Sequence, residues 1–234
     1  MRQIFLDTET TGFHPQDGDR IIEIGAVELI KRRLTGAHYH QFINPERTIP
    51  AEATQVHGIT DARVKNEPKF SQIVDQFMQF VAGAELIIHN APFDVGFINH
   101  ELARLSENRW GRLEDHCKIT DSLKMAAKRY PGQRNNLDAL CRRLYIDNSS
   151  RQFHGALLDS EILAEVYLAM TGGQTDLLFE QSPSNKTLTS PNPLNVSSQH
   201  RPALKVLYAN AQELTAHQEK LCEISKKSGK TVAW

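Results

Sequence analysis

Near its N-terminus the chain runs Ile4-Phe5-Leu6-Asp7-Thr8-Glu9-Thr10-Thr11-Gly12, a short apolar strand that ends in two acids. On a strand, side chains two positions apart share a face, so Asp7 and Glu9 point one way while Thr8 points away. Two hard oxygen donors at the edge of a sheet suit Mg²⁺ or Mn²⁺, and Thr10-Thr11-Gly12 carries the backbone off the sheet beside them. Surface strands also carry such pairs for solubility, so the pair by itself leaves both readings open.

Outward from this strand, Arg20 to Ile30 and Ala37 to Ile43 read as two further strands. Their short connections, Gln16-Asp17-Gly18-Asp19 and Arg32 to Gly36, suit antiparallel neighbours rather than helical crossovers. Ser71 to Val81 has helical periodicity, Glu85 to Ile88 is a buried strand, and Pro92 to Leu105 is a helix with proline in its first turn. Helical stretches follow at Asp121 to Arg129, Leu137 to Leu144 and Leu158 to Met170, before Gly172-Gly173 ends the domain. The fold class is α/β, a mixed sheet flanked by helices.

Two more clusters carry chemistry. Asn90-Ala91-Pro92-Phe93-Asp94 follows the buried strand and opens a helix, where Asp94 either caps the helix or serves a site at the strand-to-helix junction. His154-Gly155-Ala156-Leu157-Leu158-Asp159 sets an imidazole on a loop and a carboxylate at the start of the last domain helix. Asp159 there can complete a solvent-accessible metal set with Asp7 and Glu9, and His154 can take a proton from an attacking water.

Composition narrows the partners. With 27 Lys plus Arg against 28 Asp plus Glu, the net charge of −1 argues against general coating of nucleic acid, so any phosphate binding is local. The basic stretch from Arg129 to Arg143 is either a DNA-steering face or a solvated one. Cys117, Cys141 and Cys222 are odd in number and far apart, which suggests reduced thiols. No apolar run approaches the roughly 20 residues of a membrane span, and the expectation is a cytoplasmic protein.

Beyond Gly173 the composition changes. Ser182-Pro183-Ser184-Asn185 and Ser190-Pro191-Asn192-Pro193 read as part of a linker over residues 174–200, whose reach if flexible is roughly 25–30 Å. Residues 201–234 regain order, with strand-like Ala203 to Tyr208 and helix-like Ala211 to Ile224. They are too few for a core of their own, so this end is expected to fold against a partner.

In content and order the three acidic motifs resemble the DEDDh exonuclease family, whose fold is similar to ribonuclease H. Thr8 to Gly12, Val56-His57-Gly58-Ile59-Thr60 and Asn136-Leu137-Asp138-Ala139-Leu140 sharpen the resemblance to its branch that proofreads for bacterial DNA polymerase III. The resemblance implies a 3′→5′ exonuclease domain over residues 1–173. Asp7, Glu9, Asp94 and Asp159 would hold two divalent cations, Mg²⁺ or Mn²⁺, with His154 as general base. Glu52 and His57 would lie at the nucleotide site with Asp7, Glu9 and Asp159, and Phe93 would sit beside the terminal base or in the core. The substrate would be a DNA 3′ end. Gln174, Leu177 and Phe179 in the 174–179 peptide would contact the sliding clamp, residues 201–234 the polymerase's catalytic (alpha) subunit, and the nuclease domain a small theta-like subunit. A free-standing DEDDh exoribonuclease or single-strand DNA exonuclease is the alternative, because the motifs do not tell ribose from deoxyribose.

Overall fold

Nine residues, Arg2–Thr10, form the central strand β1 of a five-stranded mixed sheet. In the computed structural model, residues 2–149, 151, 153–172 and 209–228 are described; they belong to two units, Met1–Phe179 and Glu180–Trp234. Strand β2 (Ile21–Ile30) pairs antiparallel with β1 and with β3 (Arg33–Phe42), while β4 (Glu85–Ile88) pairs parallel with β1 and with β5 (Lys118–Asp121). The order across the sheet is β3-β2-β1-β4-β5.

The β2–β3 hairpin closes earlier than the sequence suggests. Its two turn residues are Lys31 and Arg32, both at positive φ (51° and 64°), as a two-residue I′ connection requires. Gly36, assigned by sequence to the turn, instead lies within β3 at φ 86°, beside a register irregularity that absorbs the extra residues. Strand β5 escaped the sequence reading because Lys118-Ile119-Thr120-Asp121 is a short, polar, half-exposed edge. The helices α1 (Ala51–His57) and α2 (Asp61–Val64) escaped it because each spans only a turn or two.

Alternation along β1 separates two cores. Ile4 and Leu6 face α3 (Phe70–Val81) and α4 (Ala91–Ala103), packing with Phe77, Met78, Phe97 and Ile98. Phe5 faces the opposite way, against Leu163 and Ala164 of α7 (Ala156–Thr171). Behind α7, Ile162 and Val166 pack on Ala126 of α5 (Ser122–Arg129) and on Leu140 and Cys141 of α6 (Leu137–Leu144). Two contacts set the helices on the sheet. Arg20 donates from Nε and Nη2 to both carboxylate oxygens of Glu101 (2.7 and 2.8 Å), tying the start of β2 to α4. Gly25 lets the backbone of α7 touch β2: a Cβ there would stand 2.2 Å from Ala156 C and Leu157 N.

In the second unit, α8 (Ala211–Ser228) begins with reciprocal Asn210 and Glu213 capping hydrogen bonds (2.9 and 3.0 Å). Leu214 and Ile224 on it are exposed. The 174–179 peptide, the rest of the 174–200 segment and the strand-like 203–208 lie outside the described residues. Among those described, no helix is long and apolar enough to cross a membrane. Cys117 and Cys141 are buried free thiols and Cys222 an exposed one.

Candidate active site

Strand β4 stops at Ile88, opposite Leu6, so among the described residues the Asp7–Thr10 end of β1 has no strand paired on that side. The chain turns there through Asn90, which is left-handed (φ 71°, ψ 51°), and enters α4 with proline in its first turn. This brings Asp94 around the end of the sheet. Its Oδ1 accepts a 2.7 Å hydrogen bond from the Thr8 hydroxyl, and Asp94 is 3% exposed. Thr8 does point away from Asp7 and Glu9, as the strand period requires, but it points at the second motif's carboxylate. Sequence reasoning gave it no role.

The third motif arrives from the opposite layer. Gly155, the N-cap of α7, supplies no capping side chain; the Ala156 N–H instead donates to Glu23 Oε2 at 3.1 Å. Glu23 lies opposite Glu9 in register, is 4% exposed, and holds His40 Nε2 through its other oxygen at 2.7 Å. A carboxylate at a helix N-terminus meets the positive end of the macrodipole, so Glu23 anchors the helix that carries Asp159. Its signal in the sequence was a lone acid inside the apolar run Ile21-Ile22-Glu23-Ile24.

The four acids and His154 therefore converge beyond the end of β4. Ligand atoms of Glu9, His154 and Asp159 lie within 4.8 Å of one another. The expected open cluster is largely closed: Glu9 is 8% and Asp159 3% exposed, and of the four acids only Asp7 keeps partial access. Burial raises the Asp7 carboxyl well above its ordinary value, and repulsion from Asp94, Glu9 and Asp159 adds to it. Burial, then repulsion from Asp159, Glu23 and Asp94, pushes Glu9 up to about 8. Asp94 is raised to about 7 by burial, against the lowering pull of Thr8. Carboxylates under this much mutual repulsion are short of positive charge, and an all-oxygen set with one imidazole fits a hard divalent ion.

One residue no motif pointed to supplies some of that charge. Arg151, whose side chain is 8% exposed, donates from Nε and Nη2 to the two Asp159 oxygens (2.5 and 2.6 Å). Its Nη1 donates to Asp138 Oδ1 at 2.7 Å and its Nη2 also to His154 Nδ1 at 2.9 Å.

Beside the acids is a cavity of about 440 Å³ lined by Thr10, Thr11, Gly12, Phe13, His14, Asp19, Pro50, Glu52, Ala53, Val56 and His57. His57 is buried, and its Nδ1 accepts the Ile59 N–H at 2.9 Å. The ring proton is thus on Nε2, which is buried and has no partner among the described residues. Burial and the nearby His154 both lower the His57 pKa, keeping the ring neutral. Glu52 is exposed at the rim. Phe93 does not line the cavity; it bridges the core ring Phe97 (5.0 Å) and Phe13 (6.4 Å), which does. The His154 N–H donates to Val56 O at 3.2 Å, tying the third-motif loop to the cavity's helix. In the basic stretch, Arg143 is engaged internally with Asn135, the Arg134 carbonyl and the Tyr130 ring.

Comparison with known proteins matches this geometry to a family. The RNase_T family model, an exonuclease, matches residues 4–167. The chain is 49% identical to DNA polymerase III subunit epsilon of Pasteurella multocida over 237 residues, covering 100% of this chain and 93% of that one. Against the same subunit of Escherichia coli K12 it is 46% identical, over 97% and 95% of the two chains. Among solved structures, Exonuclease X in complex with 5′ overhanging duplex DNA superposes with a TM-score of 0.56 at 22% identity, covering 73% of this chain and 91% of that chain, a likeness of fold.

Proposed function

The chain belongs to the RNase_T exonuclease family and, within it, to the DNA polymerase III epsilon subunits, and from that premise we propose how its residues carry out 3′→5′ proofreading hydrolysis of DNA. The observation that carries the reading is the meeting of Asp7, Glu9, Asp94, Asp159 and His154 at one strand end, beside a cavity lined by Glu52 and His57.

Asp7, Glu9, Asp94 and Asp159 would hold two divalent ions, Mg²⁺ or Mn²⁺, which would supply the positive field an anionic phosphodiester needs. His154, 46% exposed at its side chain, takes the proton of the attacking water. Water adds to phosphorus and the bond to the 3′ oxygen of the penultimate nucleotide breaks, so the released unit is a 5′-mononucleotide. The His57 Nε2–H donates to an oxygen of the terminal nucleotide, Glu52 closes the rim, and Phe13 supported by Phe93 gives its base an apolar wall.

The relatives' identity over the whole chain, tail included, favours a cytoplasmic replicase subunit over a free-standing nuclease. Residues 1–173 are the nuclease and a docking site for a small theta-like subunit. Gln174, Leu177 and Phe179 engage the clamp, and residues 201–234 engage the alpha subunit. Digestion of paired, mispaired and RNA 3′ ends tests the activity: mispaired DNA ends should go fastest, with EDTA stopping all hydrolysis. RNA ends cut as fast as DNA would favour the free exoribonuclease. Truncation after Gly173 should spare cutting of short single-stranded DNA and abolish capture of clamp and polymerase; unchanged capture would overturn the tail assignments.

A further inference from the structure

Arg151 sits where an active nuclease of this design needs other species. A guanidinium is always charged and only donates. Its Nη2 hydrogen bond to His154 Nδ1 therefore uses that nitrogen's lone pair, and the remaining ring proton is on Nε2. In this arrangement His154 has no free lone pair with which to accept a proton. Both Asp159 oxygens are likewise taken by the guanidinium fork (2.5 and 2.6 Å). The ligand atoms of Glu9, His154 and Asp159 are nonetheless already within 4.8 Å of one another. The framework is assembled while the base and one carboxylate are occupied.

We propose that Arg151 is a built-in counter-ion that holds the metal-free site at rest and is displaced from Asp159 and His154 when divalent ions enter. Asp138 is the retreat. It lies on α6, is 40% exposed at its side chain, and already holds Nη1 at 2.7 Å, so the guanidinium keeps an ionic partner after leaving Asp159. The exchange swaps one cation for another at Asp159 and frees the His154 lone pair in the same movement. It explains how a carboxylate 3% exposed is matched by a cation without metal, and why loading and activation of the base coincide. The inference rests on the metal-site reading above.

The test is Mn²⁺ titration of the full chain by calorimetry and by the electron-spin signal of free Mn²⁺, comparing wild type with R151Q, R151K and D159N. Removing the competitor should tighten Mn²⁺ binding in R151Q by roughly tenfold, the factor that corresponds to one charge-assisted hydrogen-bonded pair. R151K separates displacement from simple repulsion. Lysine keeps the charge but cannot bridge Asp159, Asp138 and His154 at once, so its affinity should approach that of R151Q. Binding in R151K equal to wild type would reduce Arg151 to a distant charge and overturn the proposal. So would R151Q binding no more tightly than wild type while D159N binds weakly. Should D159N bind Mn²⁺ as wild type does, the metal-site reading itself fails and this inference with it. If R151Q does not fold, R151K against wild type still decides, since tightening supports displacement and equality refutes it.

Discussion

Asp94 and Asp159 are both 3% exposed and reach the same site from opposite faces of one sheet, yet their partners are opposite in kind. On the α4 side, Asp94 is held by the neutral hydroxyl of Thr8, and burial lifts its carboxyl to about 7. On the α7 side, Asp159 is gripped by a guanidinium. One half of the site is met by a neutral hydrogen-bond donor and the other by a counter-charge. The difference teaches that a metal-free acidic centre can be made compatible with folding in two ways, and each leaves its own thermodynamic mark.

Removing the strand carboxylate Asp7 or the guanidinium-bound Asp159 tests the comparison most severely. D7A and D159A should both reduce hydrolysis to background, yet move the stability of the metal-free protein in opposite directions. D7A relieves repulsion and should raise the melting temperature in EDTA. D159A leaves the buried Arg151 with Asp138 and His154 but without its two-pronged partner, and should cost about 2 kcal/mol. Thermal melts beside single-turnover rates check both; shifts of the same sign would erase the distinction.

H154A removes the α7 side's proton acceptor while leaving the acids, so Mn²⁺ should still bind and the single-turnover rate fall by about 10² to 10⁴. A rate within about twofold of wild type would take His154 out of the chemistry.

A smaller change tests how α7 is seated. In G25A the added methyl meets backbone rather than a movable side chain, so α7 must shift, costing about 1–3 kcal/mol of stability with a fall in kcat. Denaturant melts and rates on a short DNA substrate measure the two effects, and full activity would mean that the seat of α7 does not set the position of Asp159.

The pH dependence of stability in EDTA tests the comparison without any substitution. Glu9 stands at about 8 in the fold against an ordinary 4.5, so folding favours its protonated form. Its contribution is full below about pH 4.5 and is lost as pH rises towards 8, and Asp94, raised from 3.8 to about 7, acts in the same sense. The metal-free melting temperature should therefore fall between about pH 5 and pH 8, and less steeply in D7N. A flat or rising curve contradicts the assignment.

What was legible in the sequence was whatever local pattern encodes. Glu85–Ile88 and Leu137–Leu144 read with the bounds the structure gives, because each is a run whose neighbours change character abruptly. The carboxylates at positions 7, 9, 94 and 159 were singled out by strand period, by their junctions with helices and by the resemblance of the three motifs to one family, and the fold brings them together. Strand β5 and helix α1 were not, since a polar edge and a two-turn helix carry no amphipathic signal. Arg151 was invisible for a different reason. A charge paired across space with Asp138 and Asp159 has no periodicity, and nothing in Ser149-Ser150-Arg151-Gln152 marks it.

Because β4 ends at Ile88, the acids of the first motif are met by one helix from each side, and the two helices belong to separate hydrophobic cores. An engineer would call the result a tolerance stack: errors in seating α4 and errors in seating α7 add at a single point. Reacting atoms must be placed to well within an ångström, and a misplacement of about 1 Å can cost about 10²-fold in rate. Substitutions at Phe97 or Leu163, each too modest to move the melting temperature far, should therefore still register in catalysis, and a pair that shifts both helices the same way should partly cancel.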